Sequence, residues 1–113
     1  MAAQAYAKEP VHAAAGALET VTLSALPREA QKTYRLIHAG GDFPYDKDGM
    51  VFGNRERILP SKVRGFYREY TVATPSARNR GARRLVCGGT PPNAPEICYY
   101  TDDHYSSFKR VQP

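Results

Sequence analysis

The chain has no tryptophan, only two cysteines and only three histidines, and each shortage closes off a class of function. Cys87 and Cys98 do not form a CxxC pair, and His12, His38 and His104 are scattered, so no metal-ligand spacing is present. An EF-hand reading of Asp46-Lys47-Asp48-Gly49 fails because the later ligands and the closing glutamate are missing; the segment reads as a turn. Apolar runs are short. None can span a bilayer, and no strongly amphipathic basic helix would lie on one. The expectation is therefore a protein with no metal, no cofactor and no membrane partner. Acidic residues are also few, 11 against 16 lysines and arginines, which leaves a net charge of +5. Basic proteins of this size meet nucleic acid, an anionic membrane or an acidic protein. What the chain does have is eight tyrosines and four phenylalanines, which suit a strand-rich core and base stacking alike. The two cysteines do not identify a redox compartment: they pair across a hairpin or stay as free thiols.

At 113 residues the chain is long enough for one domain with a single modest core. Residues 1–20 are alanine-rich and unpatterned, and read as a poorly ordered tail, part of it a pro-segment. The tail lacks the long apolar core of an intact signal peptide, although Ala3-Gln4-Ala5 and Ala5-Tyr6-Ala7 fit the small-x-small cleavage rule. Residues 21–113 are then the single domain. Val21 to Leu23 reads as a short edge strand. Ser24 to Pro27 opens a helix, with proline in its first turn and Glu29 placed to favour the dipole. The helix runs to about Ala39. Leu26, Ala30, Thr33 and Ile37 give it one buried face, with Tyr34 beside it, and Gly40-Gly41 ends it. His38 in the last turn reads as a dipole-compensating residue. Short strands follow at Met50–Phe52, Tyr67–Val72, Arg83–Cys87 and Ile97–Thr101, separated by polar, glycine- and proline-rich loops. Phe108 closes the core and the remaining tail frays. The class is α+β, one N-terminal helix packed on a twisted antiparallel sheet of four to five short strands.

The chemistry concentrates between Tyr67 and Cys87. Arg78, Arg80, Arg83 and Arg84 lie between two strands, with one carboxylate, Glu69, facing them across the hairpin. Period-two alternation puts Glu69 on the face of Tyr67 and Thr71, opposite Tyr70 and Val72. Arg84 shares a face with Val86. Whether that face is also Glu69's depends on a register that the sequence does not fix. The arginines offer a forked anion site, which suggests a phosphate ester. The same hairpin also reads as solvated ion pairs on a basic surface. His104 reads either as a loop histidine bonded to Asp102 or Asp103, or as the partner of Glu69. A histidine and a glutamate on different strands are the pair needed for acid–base work on a phosphodiester, with arginines stabilising the growing charge.

The ordered segments LSALP, FPY with its following DG turn, VFGNRE, ILP, YREYTV, TPSARNRGARR and YYTDDHYSSF cover roughly Leu23 to Phe108. Together they resemble the small guanyl-specific bacterial ribonucleases, the barnase-related family. The resemblance implies the microbial ribonuclease fold and roles residue by residue. Glu69 matches the general base that takes the ribose 2′-hydroxyl proton. His104 matches the general acid that protonates the departing 5′-oxygen. Arg80 and Arg84 match the phosphate-binding arginines, and Tyr105 the tyrosine that contacts the scissile phosphate. Phe52, Asn54, Arg55 and Glu56 match the guanine loop, whose backbone and Glu56 carboxylate read the guanine edge. Guanine presents N1–H and an N2 amino group, two donors that one carboxylate accepts together.

The activity so implied is guanyl-preferring cleavage of single-stranded RNA to a 2′,3′-cyclic phosphate, then hydrolysis to a 3′-phosphate, by a secreted monomer with an acidic, barstar-like inhibitor. Alternatives are a toxin module of the same chemistry in a larger exported protein, and a non-catalytic RNA-binding domain. This chain departs from the family in three places. Gly53 stands where close relatives carry a side-chain amide. The terminal cysteine pair of several relatives is absent, and Cys98, just before Tyr99-Tyr100, either opposes Cys87 across the last hairpin or stays a free thiol. The loop between Gly88 and Glu96 is slightly longer and rich in proline.

Overall fold

The computed structural model describes residues 18–113. The expected tail over residues 1–17 lies outside the described residues. Leu18 to Thr20, assigned to that tail, are instead part of the fold: Thr20 opens strand β1 (Thr20–Thr22), and Leu18 packs on the aromatic cluster described below. A single turn of 3-10 helix at Leu23–Ala25 leads into α1 (Arg28–Ala39). Pro27 sits at the N-cap, one position before the expected first turn; it lends its fixed φ and gives up no needed donor. At the other end Gly40 takes the left-handed conformation, φ 89°, and its N–H closes the last turn on the Ile37 and Leu36 carbonyls. The expected face is buried: Leu26, Ala30, Thr33 and Ile37 all point at the sheet. Thr33 adds one buried polar tie, its hydroxyl donating to the Thr71 carbonyl at 3.0 Å.

Four further strands follow: β2 (Tyr67–Thr71), β3 (Arg84–Gly88), β4 (Ile97–Thr101) and β5 (Lys109–Gln112). Their order in the sheet is β1-β5-β4-β3-β2. Two expectations need correction. The sheet is mixed, not antiparallel throughout, because β1 runs parallel to β5 with Val21 opposite Val111. The C-terminal segment does not fray but forms β5, between β1 and β4. Its pattern has one apolar residue, Val111, among polar ones, too little to signal a strand; pairing on both sides supplies what composition does not. Met50–Phe52 makes only an isolated bridge, Val51 to Arg68. It still covers the outer edge of β2, through Gly49 N–H to the Glu69 carbonyl, Glu69 N–H to the Met50 carbonyl and Phe52 N–H to the Tyr67 carbonyl. An edge strand without such a cover would expose unpaired backbone groups.

Alternation along the strands sorts the core into two layers. Tyr70, Val72, Leu85, Cys87, Cys98, Tyr100 and Val111 face α1. Tyr67, Val86, Tyr99 and Phe108 face the other way, where Leu59, Phe52, Ile58 and Phe66 cover them from the loops. Cys87 and Cys98 stand opposite each other on β3 and β4 and are joined as a disulfide. In the loop-entropy account, a closed loop of this size stabilises the fold by about 3 kcal/mol.

On the loop-covered face, Gly88 leaves room for the Phe66 ring. A Cβ at Gly88 would overlap Cδ2 and Cε2 of that ring, which packs edge-on against Tyr67 with centroids 5.0 Å apart. Gly88→Ala is expected to destabilise the protein by about 1–3 kcal/mol, as overpacking does. Urea denaturation reads this as a lower midpoint at unchanged slope; an unchanged midpoint would mean that Phe66 swings aside freely.

Candidate active site

The register of β2 on β3 places Glu69 opposite Val86 and Thr71 opposite Arg84, and β3 on β4 places Arg84 opposite Thr101. Glu69, Thr71, Arg84 and Thr101 therefore share the face away from the helix. The Glu69 Oε1 accepts from Tyr105 Oη at 2.8 Å and from Arg80 Nη2 at 3.3 Å. Its Oε2 accepts no hydrogen bond among the described residues. Arg80 is aimed by Thr71, whose Oγ1 accepts from Arg80 Nε at 3.0 Å and Nη2 at 2.9 Å. Arg84 is only 2 % exposed. Its Nη1 donates to the carbonyls of Arg83, Gly81 and Arg80 at 2.8, 3.1 and 3.4 Å. Its Nε is buried with no partner among the described residues. Taking a guanidinium out of water costs several kcal/mol unless it is paired, so a buried N–H without an acceptor invites an anion.

The loop after β4 supplies the second half of the site. Thr101 anchors it: its hydroxyl donates to Asp103 Oδ1 at 2.7 Å and accepts from the backbone N–H groups of Asp103 and Tyr105. Asp103 in turn accepts from the Ser107 hydroxyl at 2.6 Å and the Ser107 N–H at 2.9 Å. These contacts, the Ser107 hydroxyl foremost, hold its carboxyl below the usual aspartate range. The chain between them takes positive φ at His104 (55°) and Tyr105 (75°), and the His104 N–H donates to the Ala82 carbonyl. So tied, His104 is exposed, and its ring packs beside Tyr105 with centroids 4.8 Å apart. His104 lies in this loop, past the end of β4 at Thr101, where the sequence has a tight polar segment after the strand.

The third wall is the loop after Val51. Asn54 holds it closed: Nδ2 donates to the Leu59 carbonyl at 2.9 Å, and Oδ1 accepts from the Leu59 N–H at 3.2 Å. Asn54 and Arg57 both adopt positive φ. Phe52 stacks obliquely on Tyr105 at 4.9 Å, joining this loop to the previous one. Together the walls enclose an open cleft of about 740 Å³ that Phe52, Asn54, Arg55, Glu56, Glu69, His104 and Tyr105 all line.

All nine residues singled out from the sequence thus fall in or beside one cleft: seven line it, while Arg80 and Arg84 stand behind Glu69 and Tyr105. The four arginines of the hairpin do not act together. Arg83 points to the opposite side of the sheet, beside Asp102 and Lys109, and Arg78 is exposed. Sequence reasoning missed Thr71 and the Thr101–Asp103–Ser107 network. Thr71 was findable, two residues from Glu69 on the same face; the threonine and aspartate carried the signal of a side-chain-capped turn.

A family model described as ribonuclease matches residues 8–112. The guanyl-specific ribonuclease Sa of Kitasatospora aureofaciens is 52% identical over 92 residues, which is 81% of this chain and 92% of the relative. The guanyl-specific ribonuclease St of Saccharopolyspora erythraea is 54% identical over 91 residues, 80% of this chain and 85% of the relative. Among solved structures, ribonuclease Sa2 with guanosine-2′-cyclophosphate superimposes with a TM-score of 0.77 at 44% identity, covering 85% of this chain and 97% of that one.

Tyr105 is the titratable group whose setting is most altered inside the cleft. Burial first, and then the hydrogen bond to Glu69 and its negative charge, push the phenol up to about 12. The fold favours the neutral form. The stability so gained is complete below the ionisation of an unfolded tyrosine, near 10, and is lost as pH climbs towards the folded value. With ¹³C-labelled tyrosine, the Tyr105 Cζ signal is expected to remain that of the phenol at about pH 10.5, where a free tyrosine is mostly ionised. A phenolate signal there would contradict the burial of the phenol and its contact with Glu69.

Proposed function

The chain belongs to the guanyl-specific microbial ribonucleases, and we propose that its cleft cleaves single-stranded RNA after guanosine with Glu69 and His104 as the proton-transfer pair. The observation that carries this is a carboxylate with one free oxygen facing a cleft shared with an exposed imidazole, in front of a buried guanidinium with an unsatisfied N–H. The ribose 2′-hydroxyl gives its proton to the Glu69 carboxylate as its oxygen attacks phosphorus. The bond to the 5′-oxygen breaks, and that oxygen takes a proton from His104. The product is a 2′,3′-cyclic phosphate. In the second step the roles exchange: His104 removes a proton from water, the water oxygen adds to phosphorus, and Glu69 returns a proton to the departing 2′-oxygen, leaving a 3′-phosphate.

The nucleophile belongs to the substrate, which removes an entropic cost and restricts cleavage to RNA. Arg80 and Arg84 stabilise the charge that develops on the non-bridging oxygens. The Arg84 Nε supplies a donor that waits for an acceptor. Tyr105, bonded to Glu69 in the free protein, turns its hydroxyl to the phosphate when substrate displaces it. Guanine lies against Phe52 on the loop that Asn54 holds closed, with Arg55 beside it, and its N1–H and N2 amino group donate to the Glu56 carboxylate. A module that merely bound RNA would gain nothing from Glu69, whose charge repels the backbone.

An enzyme of this kind endangers the cell that makes it. We therefore place it outside that cell, as a monomer acting alone or as the toxin module of a larger exported protein. Its counterpart is an acidic, barstar-like inhibitor drawn to the arginine-lined cleft, since opposite charge on two facing surfaces speeds their encounter. Among the described residues no helix is long and apolar enough to cross a membrane.

Glu69→Gln and His104→Ala are each expected to lower transesterification by about 10²–10⁴-fold with the fold intact, measured as kcat/KM on the dinucleotide GpC. Full activity in either folded variant would sink the mechanism. Glu56→Ala is expected to narrow the preference for GpC over ApC by at least about tenfold, since adenine cannot donate from the positions that the carboxylate reads. An unchanged ratio would reduce Glu56 to a surface residue.

A further inference from the structure

Behind the guanine-reading loop the structure carries a second groove. It runs between the segment 51–57 and the loop 61–66 and has a volume of about 580 Å³. Four cations line it, Arg55, Arg57, Lys62 and Arg64, and no carboxylate does. All four are exposed, and none pairs with an acidic side chain among the described residues. One of them is held in place: the Lys62 ammonium sits 5.2 Å from the centroid of Phe66. That ring is itself fixed by its close approach to Gly88 and its edge contact with Tyr67. The rim is apolar, with Val51 and Val63 47% and 77% exposed. Unneutralised cations beside exposed apolar side chains suit a single strand, whose phosphates meet the charges while its bases cover the apolar rim.

The groove and the catalytic cleft share one wall. Phe52, Gly53, Asn54 and Arg55 line both. In the ribonuclease reading, a guanosine held on that wall has its 3′-phosphate at Glu69 and His104, so the 3′ side of the strand is taken up by the cleft. The strand that continues from its 5′ side is the one free to cross the wall. We propose that this groove binds the RNA strand immediately 5′ of the cleaved guanosine, through contacts of Arg57, Lys62 and Arg64 with its phosphates. The inference rests on the ribonuclease reading of the cleft and adds a substrate-binding surface to it.

The test compares three substrates with one guanosine each: GpC, the 5′-extended UpUpGpC and the 3′-extended GpCpUpU. At low salt, kcat/KM for UpUpGpC is expected to exceed that for GpC by about tenfold, and the excess should shrink as salt is raised. The double variant Lys62→Gln/Arg64→Gln should remove most of that excess and leave GpC cleavage within about twofold of the parent, because these residues lie outside the catalytic cleft. Arg57→Gln, at a separate point on the groove, should do the same in part, and keeps the test intact should the double variant fold poorly. An advantage that follows the 3′ extension, or a 5′ advantage that survives these variants, overturns the proposal. Failure of the parent to cleave GpC would instead overturn the ribonuclease reading, and the groove's role with it.

Discussion

The pairing of Tyr67–Thr71 with Arg84–Gly88, Glu69 against Val86, is the constraint on which the site depends. Side chains on a strand alternate with period two, so a slip of one residue would send Glu69 and Arg84 to opposite faces and bury the carboxylate against the helix. Hydrophobic residues enforce the register. Tyr70, Leu85 and Cys87 must meet α1, and Val86 and Tyr99 must meet the loop-borne aromatics. The apolar pattern on one face thus places the charged groups on the other. The Cys87–Cys98 disulfide fixes the neighbouring pair of strands in the same sense.

Given that frame, precision comes from polar contacts with backbone. The loop bearing His104 hangs on the Thr101 hydroxyl and the Asp103 carboxylate, and the loop bearing Glu56 hangs on the Asn54 amide. Arg84 is pinned by three carbonyls. Each device satisfies buried polar groups that irregular backbone would otherwise leave unpaired. Positive φ at Asn54, Arg57, His104 and Tyr105 marks where these loops turn most sharply. Such conformations cost about 1 kcal/mol or more each and persist where the surroundings hold them. Asn54, His104 and Tyr105 line the cleft, and Arg57 lines the neighbouring groove.

The loop after Val51 serves two surfaces at once. Its inner side faces Glu69 and His104, and its outer side faces the cationic groove. Aromatic contacts link the two: Phe52 touches Tyr105 and Phe108 inside, while Phe66 packs on Tyr67 and carries Lys62 outside. Among the described residues the positive charge is therefore unevenly distributed, with buried or hydrogen-bonded arginines beside Glu69 and exposed cations in the groove.

Local pattern was enough for the helix and for the strands whose alternation is strong. Leu26, Ala30, Thr33 and Ile37 announce a buried helical face, and the alternation of Tyr67–Val72 announces a strand, because burial on one side imposes a period on the side chains. Segments such as YREYTV and DHY pointed to residues that the fold gathers around one cleft. What the sequence could not carry was anything set by the distant partner of a strand. The parallel pairing of β1 with β5, the strand at Lys109–Gln112 and the shared face of Glu69 and Arg84 all follow from strand partners and registers. A strand's own residues reveal which side is buried, but not which neighbour it meets or at which residue. Only packing the whole chain against itself decides that.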